Sequence, residues 1–280
     1  MEPISQIEEW FFSTTRIKTF DKNGNSWIST GFIFGYPKDN DKAIPFLVTN
    51  RHVIENQIRG ELHFIKGQNN QPILGEGITI PISNFDNHWF NHPDPTVDVS
   101  IMPFGRILKH LEDNNEKIFY KIVSGRLIPK REDLDDMDAL EEILFIGYPI
   151  GLYDEKNYTP IIRKGATATP IYLDYNGGKK FVVDAPVFPG SSGSPVFLYD
   201  TNIHWSKKDR MPKDSRILFI GIIAKFFSHD QEGKIVTKDI PAKKEKVSIT
   251  KENIDLGIVF KAETIMETIE EFAKKRNFSL

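Results

Sequence analysis

The amino-acid sequence predicts an all-β protein with two β units and a C-terminal α-helix. Short runs rich in β-branched and aromatic residues recur along the chain, and clusters of Asn, Asp, Gly and Pro separate them. The periodicity of an amphipathic helix is clear only towards the two ends of the chain. This order of elements favours a sandwich or a barrel over alternating strands and helices.

The first part of the chain begins with a helical pattern and continues as strands. Ile4, Ile7, Trp10 and Phe11 lie at helical spacing after the candidate cap Ser5, so a helical lead-in is predicted over residues 1–20. The first β unit is predicted over 21–108. Its strand-like runs are 26–37, 43–54, 61–67 and 98–104.

Residues 109–141 form a charged connector between the two predicted β units. Because the segment REDLDDMDALEE (131–142) is strongly acidic, we expect a solvated loop with one or two helical turns. The alternative is an arm that binds a partner.

The second β unit is predicted over 142–262, and a helix is predicted over 263–280. The strand-like runs are 142–151, 159–173, 180–188, 194–200, 217–227 and 254–262. The predicted helix has one apolar side and a basic cluster near the negative end of its dipole. The apolar residues are Ile265, Met266, Ile269 and Phe272, and the basic ones are Lys274, Lys275 and Arg276.

The composition excludes several classes of protein. The 280 residues include no cysteine, which excludes a disulfide scaffold, a thiolate zinc site and a cysteine nucleophile. The net charge of −3 provides no strong basic field, so no nucleic-acid partner is expected. No apolar run approaches the roughly 18 residues of a membrane span, so no membrane partner is expected. The N-terminal sequence lacks the pattern of a signal peptide, so a cytoplasmic protein is the expectation.

Segment 188–197, FPGSSGSPVF, has the composition that an exposed nucleophilic hydroxyl needs. Small residues leave room for a carbonyl carbon to approach, and glycine allows backbone conformations in which several N–H groups point at one oxygen. Taken alone, the segment is equally well explained as an ordinary Gly/Ser turn between two strands.

Two other segments offer partners for a serine nucleophile. His52 follows the end of an apolar run in LVTNRHVIEN (47–56), and Asp98 begins the apolar run DVSIMPF (98–104). An imidazole can take the proton of a serine hydroxyl, and a carboxylate can hold that imidazole in one tautomer. Taken separately, each residue is more simply explained by a surface position or a structural hydrogen bond.

In the order His52, Asp98 and Ser192, the segments resemble a trypsin-like (chymotrypsin-fold) serine peptidase of the bacterial HtrA-like and glutamyl-endopeptidase-like branches. The matching segments follow the family order: STGFIF (29–34), FLVTNRHVI (46–54), DVSIMPF (98–104), IGYPIG (146–151), DAPVFPGSSGSPVF (184–197) and LFIGIIAKF (218–226). The resemblance implies a two-domain antiparallel double β-barrel with the active site in the cleft between the barrels.

The resemblance also implies an activity, the hydrolysis of peptide bonds through an acyl-enzyme without a cofactor. Ser192 would be the nucleophile, His52 the general base and then the general acid, and Asp98 the residue that orients His52. The backbone N–H groups of Gly190 and Ser192 would form the oxyanion hole. The expected partner is a protein or peptide substrate. Because an unregulated cytoplasmic peptidase would be hazardous, we expect either narrow specificity or a gate, such as a regulatory protein partner.

The chain departs from its relatives where their pockets select a charged substrate. Pro186 stands where trypsin-like pockets carry an Asp, and Ile223 stands where glutamyl endopeptidases carry a His. Ala224, Lys225 and Phe226 would edge the pocket. We therefore expect a pocket that accepts an apolar or small side chain.

Two departures concern activation and domain content. Ser191 stands where digestive enzymes carry an Asp that pairs with a new N-terminus, so activation by trimming is not expected. HtrA proteins carry a PDZ domain after the peptidase, and none is expected here.

Three other motifs are explained by structure and predict no function. His88, His92 and Asp94 could bind a metal, but Pro93 and Pro95 oppose a helix there, so no metal site is predicted. The Lys-rich run 238–253 is expected to be a solvated hairpin, and YLDYNGGKKF (172–181) contains a hairpin turn signal.

Two other functions compete with that of a peptidase. The fold could act as a regulated or inert protein-binding module that needs a partner for activity. An α/β-hydrolase is excluded, because it would need Gly-x-Ser-x-Gly before a helix and the chain order Ser, Asp, His.

Overall fold

The computed structural model describes residues 3, 5–39, 42–200, 204–206, 209, 211–213, 215–235 and 246–280. Strands are the main secondary structure of these residues, and they form a closed six-stranded barrel and a separate eight-stranded sheet. A helix ends the chain. The predicted fold class, all-β with two β units and a C-terminal helix, is therefore confirmed.

The eight-stranded sheet forms the first β unit. Its strands are β1 (Thr14–Phe20), β2 (Ser26–Pro37), β3 (Ala43–Thr49), β4 (Arg59–Gln68), β5 (Gln71–Ser83), β6 (Phe90–Asn91), β7 (Ser100–Pro103) and β8 (Val123–Ser124). The order across the sheet is β5-β4-β1-β2-β3-β7-β6, and β8 adds in parallel to β2. Among the described residues, hydrogen bonds do not close this sheet into a second barrel.

The closed barrel forms the second β unit. Its strands, in the order of pairing, are β10 (Ile161–Thr167), β11 (Lys180–Asp184), β16 (Lys246–Lys261), β15 (Arg216–Ile235), β12 (Pro195–Asp200) and β9 (Glu142–Gly147). A small hairpin of β13 (His204–Ser206) and β14 (Met211–Lys213) follows β12. Strands β9 and β12 are largely apolar runs, because both their faces are covered.

Five α-helices connect or close the two β units within the described residues. They are α1 (Gln6–Phe11), α2 (Arg51–Ile54), α3 (Gly105–Asp113), α4 (Arg131–Asp136) and α5 (Glu263–Arg276). Ser5 caps α1 through a hydrogen bond from the N–H of Glu8 to its hydroxyl, and the Glu8 carboxylate accepts from Ser5 in return. None of the described helices is long and apolar enough to cross a membrane.

One buried cluster joins the two β units. It combines Phe32 and Phe46 of the sheet with Phe197 and Phe219 of the barrel and with Ile265 of α5. Trp10 of α1 stacks on Phe197 with a centroid distance of 3.7 Å. Because α1 and α5 both pack into this cluster, the two ends of the chain hold the β units against each other.

The prediction of a helical lead-in over 1–20 is wrong for its second half. Residues 14–20 form β1, which pairs with both β2 and β4. The physical reason is an alternation in which Thr15, Ile17 and Thr19 are buried, while Arg16 and Lys18 are more exposed. Three β-branched residues on one face favour a strand.

The connector 109–141 is less solvated than predicted. It contains α4, as expected, but it also supplies β8 to the sheet. Phe119, Val123 and Met137 are buried. These apolar residues lie between charged ones, so average composition did not reveal that the connector packs on both β units.

His63 of β4 is a mostly buried histidine remote from the predicted site. Its Nδ1 lies 2.9 Å from Thr79 Oγ1, and its buried Nε2 has no hydrogen-bond partner among the described residues. Burial, and then the positive charges of Arg16 and Lys18, lower the pKa of His63 from 6.5 to about 4. The folded chain therefore keeps this imidazole neutral at neutral pH.

We expect His63 to make the folded state less stable as the pH falls from 6.5 towards about 4. In that window the unfolded chain binds a proton that the folded chain does not, so the free energy of unfolding decreases. Urea unfolding at the two ends of the window should show a smaller loss of stability for His63→Gln than for the unaltered chain. The exposed His110 provides the control His110→Gln. An equal loss in both variants would contradict the assignment.

Candidate active site

The segment 188–194 forms a tight loop between β11 and β12. Gly190 and Gly193 have φ values of 91° and 89°, in the region that favours glycine. A Cβ on Gly193 would lie 1.8 Å from the carbonyl oxygen of Thr30 in β2, and one on Gly190 would lie 2.4 Å from that of Tyr148. Glycine is therefore required at both positions for the loop to pack against β2 and the turn after β9.

The three serines of this loop differ in accessibility. Ser191 and Ser194 are 1% and 0% exposed, and their hydroxyl oxygens have no partner among the described residues. Ser192 is partly exposed. Of the three hydroxyls, that of Ser192 is therefore the one that a substrate can reach.

Thr30 of β2 attaches the loop to the first β unit. Its N–H donates to the carbonyl of Ser192 at 2.9 Å, and its hydroxyl donates to the carbonyl of Gly190 at 2.9 Å. The hydroxyl of Thr49, the last residue of β3, donates to the carbonyl of Thr30 at 2.8 Å. These bonds thus link the loop of Ser192 to the end of β3. The last residue of β3, Thr49, lies three positions before His52 in the sequence.

His52 and Asp98 are in direct contact. His52 Nδ1 lies 2.6 Å from Asp98 Oδ2, and the backbone N–H of His52 donates to Asp98 Oδ1 at 3.0 Å. The side-chain amide of the buried Asn50 donates to the backbone carbonyl of Asp98 at 2.7 Å. The helical turn α2 thus aligns two donors with one carboxylate.

The carboxylate of Asp98 is held in its ionised form. Burial alone would raise its pKa, but the hydrogen bonds from His52 and the electrostatic interactions with His52 and Lys225 outweigh burial and lower the pKa. An ionised carboxylate can only accept a hydrogen bond, so the proton of the imidazole lies on Nδ1. This leaves the lone pair on Nε2 of His52 as a base.

The structure does not give Ser192 a hydrogen bond with His52 among the described residues. Ser192 Oγ instead donates to the carbonyl of Ala224 in β15 at 3.2 Å. Rotation about one side-chain bond would release this hydroxyl. Catalytic hydrogen bonds are often loose or absent before substrate binds.

The backbone N–H groups of Gly190 and Ser192 have no acceptor among the described residues. The carbonyl of Pro189 accepts a hydrogen bond of 2.6 Å from the N–H of Ile150. In a trans peptide the C=O and N–H point in opposite directions, so this bond also fixes the direction of the Gly190 N–H. Two unpaired donors beside an accessible hydroxyl can stabilise an oxyanion.

Of the five residues predicted to form the substrate pocket, Pro186 lies between β11 and the loop, and the other four lie on β15. Ile223 and Ala224 are buried, and Pro186 is half-buried. Lys225 and Phe226 are exposed, Phe226 by 39%. The N–H of Gly193 donates to the carbonyl of Ile223 at 2.9 Å, so this strand runs directly beside the loop of Ser192.

The remaining predicted motifs lie outside the site. His88 Nε2 contacts the carbonyl of Ser83 at 3.1 Å, and His92 Nε2 lies 3.4 Å from Glu267. Among the described residues, no group of three metal-ligating side chains is found. The Asn-Gly-Gly segment forms a short 3-10 turn at Tyr175–Gly177. Residues 238–245 of the Lys-rich run lie outside the described residues, and those after them belong to β16.

Three residues that shape this site, Thr30, Thr49 and Ile150, were not predicted from the sequence. Thr30 and Thr49 are completely buried although their strands are otherwise apolar inside. A threonine within such a run signals a side-chain hydrogen bond to the backbone. No signal in the sequence marks Ile150, because its N–H rather than its side chain makes the contact with the loop.

No family model and no curated protein matches the chain. Among solved structures, the active form of the Rv3671c protease from M. tuberculosis is 14% identical with a TM-score of 0.43, covering 96% of this chain and 92% of that one. HL collagenase is 10% identical with a TM-score of 0.47, covering 96% and 95%. A catalytically inactive tobacco etch virus protease in complex with substrate is 13% identical with a TM-score of 0.41, covering 79% and 75%. At such low identities and TM-scores, we draw nothing about the activity of this chain from these proteins.

Proposed function

We propose that this chain is a serine endopeptidase that uses Ser192, His52 and Asp98. The observation that carries the proposal is the chain of hydrogen bonds through Thr30 and Thr49, which links the loop of the partly exposed Ser192 to the end of β3. That end lies three residues before His52, which is bonded to Asp98. The two N–H groups without acceptors in the same loop support it. The pattern fits acyl transfer better than metal-assisted or redox chemistry, because each group has a role in it.

The first half of the reaction forms an ester with Ser192. The hydroxyl turns from Ala224 towards His52 Nε2, which takes its proton as the oxygen attacks the carbonyl carbon of the substrate. The negative oxygen of the tetrahedral intermediate accepts hydrogen bonds from the N–H groups of Gly190 and Ser192. His52 then gives its proton to the amide nitrogen, the C–N bond breaks, and the amine leaves.

The second half regenerates the enzyme with water. His52 Nε2 removes a proton from a water molecule, whose oxygen attacks the ester carbonyl. The same two N–H groups stabilise the second oxyanion. The C–O bond to Ser192 then breaks, the serine oxygen takes the proton from His52, and the product leaves with a new carboxyl group. Asp98 stabilises the imidazolium in both halves and is not itself protonated.

A mixture of synthetic peptides of defined sequence tests the proposal. The unaltered chain should produce fragments by mass spectrometry, and His52→Ala should produce almost none. Arg51→Ala, at the partly buried neighbouring position, provides the matched control and should behave as the unaltered chain does. Equal fragmentation by the unaltered chain and His52→Ala would contradict the proposal.

The same fragments should show cleavage after apolar or small residues. Ile223 and Ala224 are buried and apolar, and Pro186 offers no charge to pair with a substrate. Leaving a charged side chain unpaired in such a pocket costs several kcal/mol, so cleavage after Arg, Lys or Glu should be roughly a hundredfold slower. Predominant cleavage after a charged residue would mean that another surface forms the pocket.

A binding module that is active only with a partner is the second candidate. The hydrogen bond from Ser192 to Ala224, in place of one to His52, favours it. This alternative predicts that the isolated chain binds peptides without cleaving them. Calorimetry with the mixture, alongside the cleavage assay, separates the two functions.

A further inference from the structure

Ile150 has a backbone conformation that is costly for its residue type. Its φ and ψ are 53° and 23°, in the left-handed region. Most other non-glycine residues with positive φ in the described chain are Asn, and Ile150 is the one β-branched residue among them. A β-branched residue in this region is a true outlier, with a cost of order 1–3 kcal/mol.

Packing does not compensate for this strain, because the side chain of Ile150 is 65% exposed. Asn or Gly would adopt the same backbone more easily and would keep the N–H that bonds to Pro189. The backbone contact therefore explains the conformation but does not explain the choice of isoleucine. An exposed apolar side chain held under strain points to a contact made with a ligand.

Two further apolar side chains lie next to Ile150. Leu152 is 60% exposed. A Cβ on Gly151 would lie 2.8 Å from Cδ1 of the partly exposed Ile28 of β2. We call Ile28, Ile150 and Leu152 the Ile150 patch. It borders the Ser192 loop, because the N–H of Ile150 lies 3.0 Å from the Cβ position of Gly190.

The Ser192 loop separates this patch from β15. On one side, the loop bonds to Ile223, and Ser192 Oγ bonds to Ala224. On the other side, Pro189 bonds to Ile150. A peptide that crosses Ser192 with its acyl half along β15 would carry its leaving half towards the Ile150 patch.

We infer that the Ile150 patch binds the leaving half of the substrate and selects apolar side chains in the first two residues after the cleaved bond. The inference rests on the proposed function. An apolar side chain there removes exposed surface of Ile150 and Leu152 from water, whereas a polar one loses its own hydration without gaining a partner.

Two quenched peptides and one ester test this inference. The peptides share one acyl half, chosen from the cleavage profile, and continue with Leu-Leu or Ser-Ser after the cleaved bond. The third substrate is the ethyl ester of the same acyl half, which has no residue in the leaving position. For each variant, both peptide kcat/KM values are divided by its own kcat/KM for the ester.

The unaltered chain should cleave the Leu-Leu peptide about tenfold faster than the Ser-Ser peptide, the range for one or two apolar contacts. Ile150→Gly should reduce this ratio to about one or two, and Leu152→Ser should reduce it in part. Ile150→Gly should also melt at the same or a higher temperature, because glycine removes the strain. Leu140→Ser is the control. It replaces an exposed leucine two residues before the start of β9 and should leave the ratio unchanged.

Two results overturn the inference in distinguishable ways. If Ile150→Gly hydrolyses the ester normally and keeps the unaltered ratio of Leu-Leu to Ser-Ser cleavage, the inference is overturned. The proposed function is then left standing. Failure of the unaltered chain to hydrolyse the ester any faster than Ser192→Ala overturns the proposed function, and the inference falls with it.

Discussion

Replacement of Ser192 by alanine is expected to lower kcat for peptide cleavage by roughly 10⁶-fold, the scale measured when a serine peptidase loses its nucleophile. Without the hydroxyl, neither His52 nor the two N–H groups has an intermediate to act on. The Ser192 side chain is partly exposed and makes one hydrogen bond of 3.2 Å, to Ala224. The free energy of unfolding should therefore change by less than about 1 kcal/mol. Parallel kinetics and urea unfolding would measure both effects.

The same loop provides matched controls in its two buried serines. Ser191 and Ser194 have hydroxyl groups without partners among the described residues, so their replacement by alanine removes no hydrogen bond seen there. Ser191→Ala and Ser194→Ala should keep most of the activity. If activity survived Ser192→Ala but was lost in Ser191→Ala, the nucleophile would be Ser191 and the assignment of Ser192 would be wrong.

Asp98→Asn is expected to lower kcat by roughly 10⁴-fold, the loss measured for the corresponding change in a trypsin-like enzyme. An amide can present its N–H₂ to Nδ1 of His52, which favours the tautomer with the proton on Nε2. That tautomer cannot accept the proton of Ser192. The substitution also removes the charge that stabilises the imidazolium. KM should change far less than kcat, because Asp98 does not touch the substrate.

Asp94 provides the control for Asp98. It is an exposed carboxylate, and its Oδ1 accepts from the N–H and the hydroxyl of Thr96 at 2.8 and 2.7 Å. Asp94→Asn should therefore cost less than about tenfold in kcat. If Asp94→Asn instead cost more than Asp98→Asn, Asp94 would be the residue that orients His52.

Much of the architecture could be predicted from local pattern. The run 26–37 became β2 with the same bounds, and the helix predicted over 263–280 is observed as Glu263–Arg276. Both segments have strong periodicity and clear punctuation at their ends. β1 was missed because Trp10 and Phe11 continued an apolar pattern up to its start, so the helix appeared to extend further.

The parts of the site that the sequence did not reveal depend on contacts between distant segments. Thr30 and Gly190 are 160 positions apart, and their hydrogen bond exists only after both β units have formed. The hydrogen bond from Ile150 to Pro189 uses backbone atoms, which every residue but proline could supply. The candidate triad residues could be named from the sequence because their chemistry depends on residue type.

Mapping the site of reaction with a fluorophosphonate tests the central claim most directly. The reagent is attacked by an activated serine, and the adduct stays on the attacking oxygen. Trypsin digestion of the labelled chain would yield the peptide FVVDAPVFPGSSGSPVFLYDTNIHWSK, residues 181–207, which contains Ser191, Ser192 and Ser194. We predict a single adduct that fragmentation assigns to Ser192 and that His52→Ala nearly abolishes. Lack of an adduct, an adduct on another residue, or equal labelling of His52→Ala would contradict the account.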